Sequence, residues 1–253
     1  MDSTSFNTLF TGKFFLKLNE IDSTNNFLKD LITNSKPLEG TVILAESQKA
    51  GRGQMGTSWI TQPNANITLS ILYQPKWLKV QDQFLISAMT SWAIYELISE
   101  LLPSEKIEVK WPNDIMIDRQ KVCGVLIENS IRGEIIQNSI IGIGLNVLQK
   151  DFGSIKNASS LSLKGYGGTV EWVTKRLVEI MEKNYMLLKS GKGLELMKSY
   201  HEVLLGKDEE LRYKEKGVEF FGKIRKVCKD GKLIVETENG LKHYYHKEVE
   251  LLL

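Results

Sequence analysis

The chain has 253 residues, enough for one domain or for a large one with a small companion. Hydrophobic residues make up 42% and charged ones 25%, with Lys+Arg 33 against Asp+Glu 31, the balance of a globular protein with a real core and no obligatory nucleic-acid or membrane surface. Two distant cysteines, Cys123 and Cys228, have no neighbouring His or Cys and indicate neither a zinc site nor a disulfide framework. Met1 to Lys13 carries no apolar leader and no run approaches 18 apolar residues, so a cytoplasmic location and no membrane partner are expected.

In chain order, Phe14 to Leu18 reads as a strand, and Asp22-Ser23-Thr24 as the cap of a helix with Phe27, Leu28, Leu31 and Ile32 on one stripe. Strands follow at Val42 to Glu46 and Ile67 to Tyr73. A helix from Gln81 to Leu102, apolar nearly all round, should be central and buried, with Pro103 closing it. Four β-branched runs, Ile107 to Lys110, Ile115 to Ile117, Val122 to Glu128 and Ile135 to Val147, are joined by hairpin loops. The polar connector Asp151 to Gly168 leads to helices near Val170 to Leu188 and Leu194 to Leu205. After Gly206 come five short strands: Leu211 to Tyr213, Val218 to Val227, Leu233 to Thr237, Lys242 to Tyr245 and Val249 to Leu253. Turns at Lys229-Asp230-Gly231 and Glu238-Asn239-Gly240 separate them. The expected fold is α+β: a mixed, mostly antiparallel sheet with helices on one side over residues 1–206, then a small SH3-like β-barrel over 207–253.

Gly51-Arg52-Gly53-Gln54-Met55-Gly56 reads G-x-G-x-x-G, the pattern of a dinucleotide-binding turn. No helix follows it, because Thr57 to Asn64 has no helical period, and no acid stands about 20 residues on to meet a ribose. What remains is a flexible loop carrying a cation, suited to closing over an anion. Other polar clusters stand at strand ends or in loops. Ser23-Thr24-Asn25 offers hydroxyls and an amide beyond those a cap consumes, and Gln48 precedes the glycine loop. Lys110-Trp111-Pro112-Asn113-Asp114 supplies a phosphate ligand, an amide and a metal-directed acid. Lys121 leads the strand containing Gly124, a glycine that hints at close ligand approach. Gly142-Ile143-Gly144-Leu145-Asn146 ends the next strand. Singly, each has a bland reading as cap, surface loop, tight turn or snorkelling edge lysine.

In this order the clusters, with Trp59, resemble the biotin–protein ligases along nearly the whole chain, the terminal barrel included. That resemblance implies a class II synthetase-like catalytic domain that joins biotin and ATP with Mg²⁺ to give biotinyl-5′-adenylate. The biotin then passes to a lysine of a biotin carboxyl carrier domain of a carboxylase. It implies Ser23, Thr24, Asn25, Gln48, Arg52, Gly53, Gln54, Lys121 and Gly124 on the biotin side, the aliphatic chain running along the Gly124 strand. Gly51, Arg52, Trp59, Lys110, Asn113 and Asn146 would face ATP. The first step brings a carboxylate to an anionic phosphate, so cations and positioning matter more than a nucleophile. Arg52 and Lys121 are the expected neutralising groups, and Asp114 the Mg²⁺ carboxylate and a candidate base, since the three histidines, His201, His243 and His246, are all C-terminal.

Many family members place a second arginine where this chain has Gln54, and some carry a helix-turn-helix before the first strand. Here about 13 residues precede that strand, so no operator binding is expected. A lipoate or octanoate ligase of the same fold, a Rossmann oxidoreductase and an inert biotin-binding regulator are the alternatives. Self-pairing along a sheet edge and the barrel's role stay open.

Overall fold

The computed structural model describes residues 6–252, so residues 1–5 of the leader reading and Leu253 of the last expected strand lie outside the described residues. Seven strands form the main sheet: β1 (Phe15–Ile21), β2 (Val42–Gln48), β3 (Asn66–Tyr73), β4 (Ile107–Lys110), β5 (Asp114–Ile117), β6 (Gln120–Arg132) and β7 (Ile135–Asn146). Their order is β1-β2-β3-β7-β6-β5-β4, with β1 parallel to β2 and the other neighbours antiparallel. β1 runs past the expected Leu18 because β2 continues beside it, pairing Glu20 with Ser47 and Ile21 with Gln48.

Alternation along the strands assigns the two faces. Val42, Ile71, Tyr73 and Ile141 join one cluster with residues of α2 (Phe84–Leu101), α3 (Val170–Lys189) and α4 (Gly193–Glu202). Their neighbours Ile43, Leu72 and Ile140 point the other way, onto Leu28 of α1 (Thr24–Asn34). The expectation of helices on one side therefore holds for α2 to α4, while α1 covers part of the opposite face. Being short and amphipathic, α1 leaves the rest of that face open. α4 stops at Glu202 rather than Leu205 because the chain turns to pair with the edge strand β4: Val109 N–H donates to Val203 O at 2.8 Å and Leu205 N–H to Val109 O at 2.9 Å.

The segment before β1 is clamped by one carboxylate. Glu182 on α3 accepts the backbone N–H groups of Leu9, Phe10 and Thr11 at 2.5, 2.9 and 2.7 Å. Burial raises its pKa, but these donors outweigh that and hold it below the usual carboxylate value. A depressed folded pKa stabilises above the unfolded pKa, and the benefit is lost as pH falls through the folded value. Glu182→Gln is expected to cost about 1.5–3 kcal/mol at pH 7, the usual worth of hydrogen bonds to a charged group. Thermal melts of both forms should converge as the pH is lowered through the folded value; an equal gap at acid pH would contradict the clamp.

The remaining strands, β8 (Glu210–Glu215), β9 (Val218–Val227), β10 (Leu233–Thr237), β11 (Gly240–Tyr244) and β12 (Glu250–Leu252), form a separate antiparallel sheet ordered β11-β10-β9-β8-β12, consistent with an SH3-like barrel. Its 229–231 turn seats it. Gly231 adopts φ +94°, its carbonyl accepts Trp111 Nε1–H at 3.1 Å, and Lys229 O accepts Phe84 N–H at 3.1 Å. Tyr200 Oη–H on α4 donates to Pro112 O at 3.2 Å, fixing the other side of the same Trp-Pro turn, whose peptide bond is cis.

Candidate active site

The face beside α1 carries a cavity of about 540 Å³. Register builds its floor. Thr68 lies opposite Gly144, Gly144 opposite Gly124, Gly124 opposite Asp114 and Asp114 opposite Lys110, one row across five strands. The adjacent same-face row is Ser70, Gly142 and Leu126. A G-x-G spacing puts both glycines on one face of a strand, and Gly124 extends the stripe free of Cβ atoms. That space is used. A Cβ on Gly142 would stand 2.3 Å from Asn25 Oδ1, one on Gly144 2.3 Å from the Trp59 ring, and one on Gly124 3.0 Å from that ring.

At one end α1 begins. Ser23 occupies the N-cap position, but its side chain makes no capping bond, correcting the expectation that a cap consumes one oxygen. Gln48 does the local fastening: its Oε1 accepts Thr24 N–H at 2.8 Å and lies 3.1 Å from Thr24 Oγ1. Ser70 Oγ lies 2.7 Å from Thr24 Oγ1 and 2.6 Å from Asn25 Oδ1. Ser23, Thr24 and Asn25 are all buried, so this end is a dense polar pocket inside an apolar face.

The glycine loop lies over the cavity. An antiparallel bridge joins Arg52 to Ser58, and a single 3₁₀ turn spans Gln54–Gly56, so the loop is a folded flap and no helix opens after it. Arg52 donates to Asn26 Oδ1 at 2.6 Å and pairs with Glu128 at 3.0 Å. Gly53 and Gln54 line the cavity beside it.

At the other end Lys121 Nζ pairs with Asp114 Oδ1 at 2.7 Å and sits 5.6 Å from the centre of the Trp59 ring. Its backbone is pinned on both sides, with Lys121 N–H donating to Asn157 O at 2.7 Å and Ser159 N–H to Lys121 O at 2.9 Å. Lys110 and Asn113 also line the cavity, the Asn113 amide donating to Val125 O on β6. Among the described residues no group of three His, Cys, Asp or Glu is placed to hold a metal by itself.

Two expected residues stand elsewhere. Gly51 is not in the lining; its backbone closes the flap, accepting Trp59 N–H at 2.9 Å. Asn146 is not in it either: its amide donates to Ser159 O at 2.9 Å and so tethers the segment that pins Lys121. Trp59, expected against the nucleotide, rests on Gly144 and Gly124, the strip assigned to the aliphatic chain, with its buried Nε1 unpartnered.

Other lining residues escaped the sequence reading. Thr68 lines the cavity, with Ser70 buried behind Thr24 and Asn25; two polar positions two apart in an apolar strand are a signal that was legible. The barrel contributes Tyr213, His246, Val249 and Leu251, which no local pattern announces. The expectation that no histidine joins the cluster is thereby corrected. The His246 ring meets Trp111 edge-on at 5.7 Å. Burial chiefly, with Lys247, lowers its pKa against the opposing pull of Asp114, keeping the imidazole neutral near pH 7.

A second cavity, of about 580 Å³, shares Lys110, Asp114, Lys121, Glu250 and Leu251 with the first and adds Arg119, Lys156 and Arg212. Basic side chains outnumber acidic ones around it, so an anion leaving the Lys121 end has a positive exit.

The biotin/lipoate A/B protein ligase family model matches residues 18–146. The bifunctional ligase/repressor BirA of Bacillus spizizenii is 28% identical over 245 residues, covering 95% of this chain and 74% of that protein. The biotin–[acetyl-CoA-carboxylase] ligase of Paracoccus denitrificans is 30% identical over 155 residues, 58% of this chain and 61% of that one. The Aquifex aeolicus biotin protein ligase, solved in complex with biotin and ATP, superposes with a TM-score of 0.79 at 27% identity, covering 95% of this chain and 99% of that one. With the family pattern spanning the strands that build the floor, the α1 end and the flap, the chain belongs to the biotin/lipoate A/B protein ligase family.

Proposed function

We propose that this protein activates biotin with ATP and transfers it to a lysine of a biotin carboxyl carrier domain. One observation carries the reading: a glycine strip joins a buried hydrogen-bonding pocket at Ser23, Thr24, Asn25 and Gln48 to a cationic end at Lys121. A ureido ring needs partners for its carbonyl and N–H groups once buried, and a valeryl chain can run along the Gly124–Gly144 strip when the Trp59 ring that rests there moves aside. A lipoyl tail, being apolar at its far end, has no group to meet the Ser23 hydroxyl and the other polar atoms that line this pocket, so biotin is favoured.

A biotin carboxylate oxygen attacks the α-phosphorus while the bond to the β-phosphate breaks and pyrophosphate leaves. Lys121 and Arg52 offset the repulsion of the two anions, and the flap keeps water from the mixed anhydride. Lys110 and the basic second cavity favour departure of pyrophosphate. Asp114 would be the carboxylate to hold magnesium, which when bound would offset the charge of the phosphates. The acceptor amine then attacks the acyl carbonyl, AMP leaves and the amine's proton is lost. Asp114 and the neutral His246 line the same cavity and are the candidate acceptors for that proton.

Incubation with labelled biotin, MgATP and a carrier domain tests the reading: ATP-dependent label on one carrier lysine is expected, and label from lipoate instead of biotin would refute it. The net charge of +2 supports a ligase without repressor activity, so no shift of biotin-operon DNA is expected on a native gel.

Gln54 keeps a hydrogen-bonding group on the flap but no charge. Gln54→Arg is expected to slow dissociation of biotinyl-5′-adenylate about tenfold, the scale of one added charge-assisted contact. Equal release rates, followed by filtration of the labelled adenylate, would remove the idea that the parental flap leaks.

A further inference from the structure

Glu128 lies where β6 leaves the cavity, and two elements converge on it, α1 and the flap. Asn25 Nδ2–H of α1 donates to its Oε2 at 2.8 Å. From the flap, Arg52 Nη2–H donates to Oε1 at 3.0 Å and Nη1–H to Oε2 at 3.4 Å. The remaining Nη1 hydrogen is taken by Asn26 Oδ1.

Two consequences follow from donor and acceptor inventories. A guanidinium has five N–H donors. Contact of both terminal nitrogens with one carboxylate uses the end-on edge, and Asn26 takes a third hydrogen. The Nε–H and one Nη2–H remain, and that side-on edge can grip a carboxylate or phosphate bidentately. The second consequence concerns Asn25. Its Oδ1 accepts only, so the single Ser70 hydroxyl hydrogen is directed to it, while Nδ2 serves Glu128 and Leu126 O. The amide is thus fixed in one orientation, in the space that the missing Cβ of Gly142 leaves for it. A continuous polar chain runs from Gln48 and Thr24 through Ser70, Asn25 and Glu128 to Arg52.

We propose that Glu128 is the positioning residue of the flap: it holds the end-on edge of Arg52 so that the side-on edge faces the reacting anions, and it ties that placement to the ring pocket through Asn25. An arginine between two glycines has many conformers, and a carboxylate on a rigid strand selects one before substrate arrives. Glu128 withdraws part of the field of Arg52 from the substrate, so its contribution is placement rather than charge. This inference rests on the reading of the cavity as a biotin-activating site.

The test is Glu128→Gln, which keeps shape and an acceptor for Asn25 but removes the charge holding Arg52. Biotin-dependent pyrophosphate release should fall about tenfold in kcat with the KM for ATP within twofold, as expected when a reacting group is misplaced. In an Arg52→Ala background the same change should have no further effect. A carboxylate serving only the fold would instead multiply the two losses. Without any ligand, trypsin cleavage after Arg52, followed by mass spectrometry, should speed up about tenfold in Glu128→Gln because an untethered loop opens more often. Multiplicative losses, or unaltered cleavage, overturn the proposal. Absence of pyrophosphate release from the parent protein would remove the biotin reading instead, and the cleavage rates would still decide whether Glu128 holds the flap.

Discussion

Replacing Lys121 by alanine is expected to slow formation of biotinyl-5′-adenylate by about 10²–10³-fold, the cost of removing one preorganised charge donor from a reacting anion. The lysine leads β6 with its backbone pinned on both sides, so its ammonium needs little reorganisation to meet the developing charge. Its loss does further harm. Asp114, now paired with it at 2.7 Å, would be left facing two substrate anions. The double change Lys121→Ala with Asp114→Asn should recover no rate, since the second change removes that repulsion but also the carboxylate at hand for magnesium. Biotin-dependent release of pyrophosphate measures both. A parental rate in Lys121→Ala would show that the carboxylate–phosphate encounter is eased elsewhere.

Gly142→Ala is expected to weaken biotin binding by about 10²-fold while the protein still folds, since one methyl in a packed site costs about 1–3 kcal/mol. The new Cβ would stand 2.3 Å from Asn25 Oδ1, and that side chain is held by Ser70, Glu128 and Leu126 O. Asn25 must move, and the ring pocket loses the shape that this fixed side chain gives it. Titration calorimetry with biotin reads the loss directly. Gly133→Ala, in the β6–β7 turn with nothing within 4 Å of its Cβ but with φ +62°, serves as a control: it should cost stability through backbone strain and leave biotin affinity alone. Unchanged affinity in Gly142→Ala would mean that Asn25 does not face the ligand.

Much of this was readable in the chain. Most strands of the main sheet announce themselves by β-branched runs, the first by an apolar run from Phe14 to Leu18, and the missing helix after Gly56 already separates the flap from a dinucleotide turn. Most of the expected biotin and nucleotide residues meet in one cavity because they stand at the ends or on the open face of neighbouring strands. What stayed hidden depends on contacts between distant segments. Strand order, and with it the row from Thr68 to Lys110, follows from which edges pair and not from local propensity. Ser23 sits at a helix start like any cap, yet Gln48, a residue 24 positions on from Thr24, takes the backbone donor beside it. Asn146 has the composition of a ligand and acts as a tether. His246 enters the cavity only because the 229–231 turn seats the barrel against Trp111 and Phe84. Glu128 ends an apolar run in the manner of any solvated strand end, and only the approach of α1 and of the flap to β6 gives it partners.

The most direct test of charge neutralisation is a crystal structure with a non-hydrolysable biotinyl-5′-adenylate analogue. Lys121 Nζ and the side-on edge of Arg52 should each lie within hydrogen-bonding distance of the acyl-phosphate linkage, with the ureido ring among Ser23, Thr24, Asn25 and Gln48. An analogue bound with both cations turned to solvent, or with its ring at the barrel end, would contradict the chemistry assigned to this cavity.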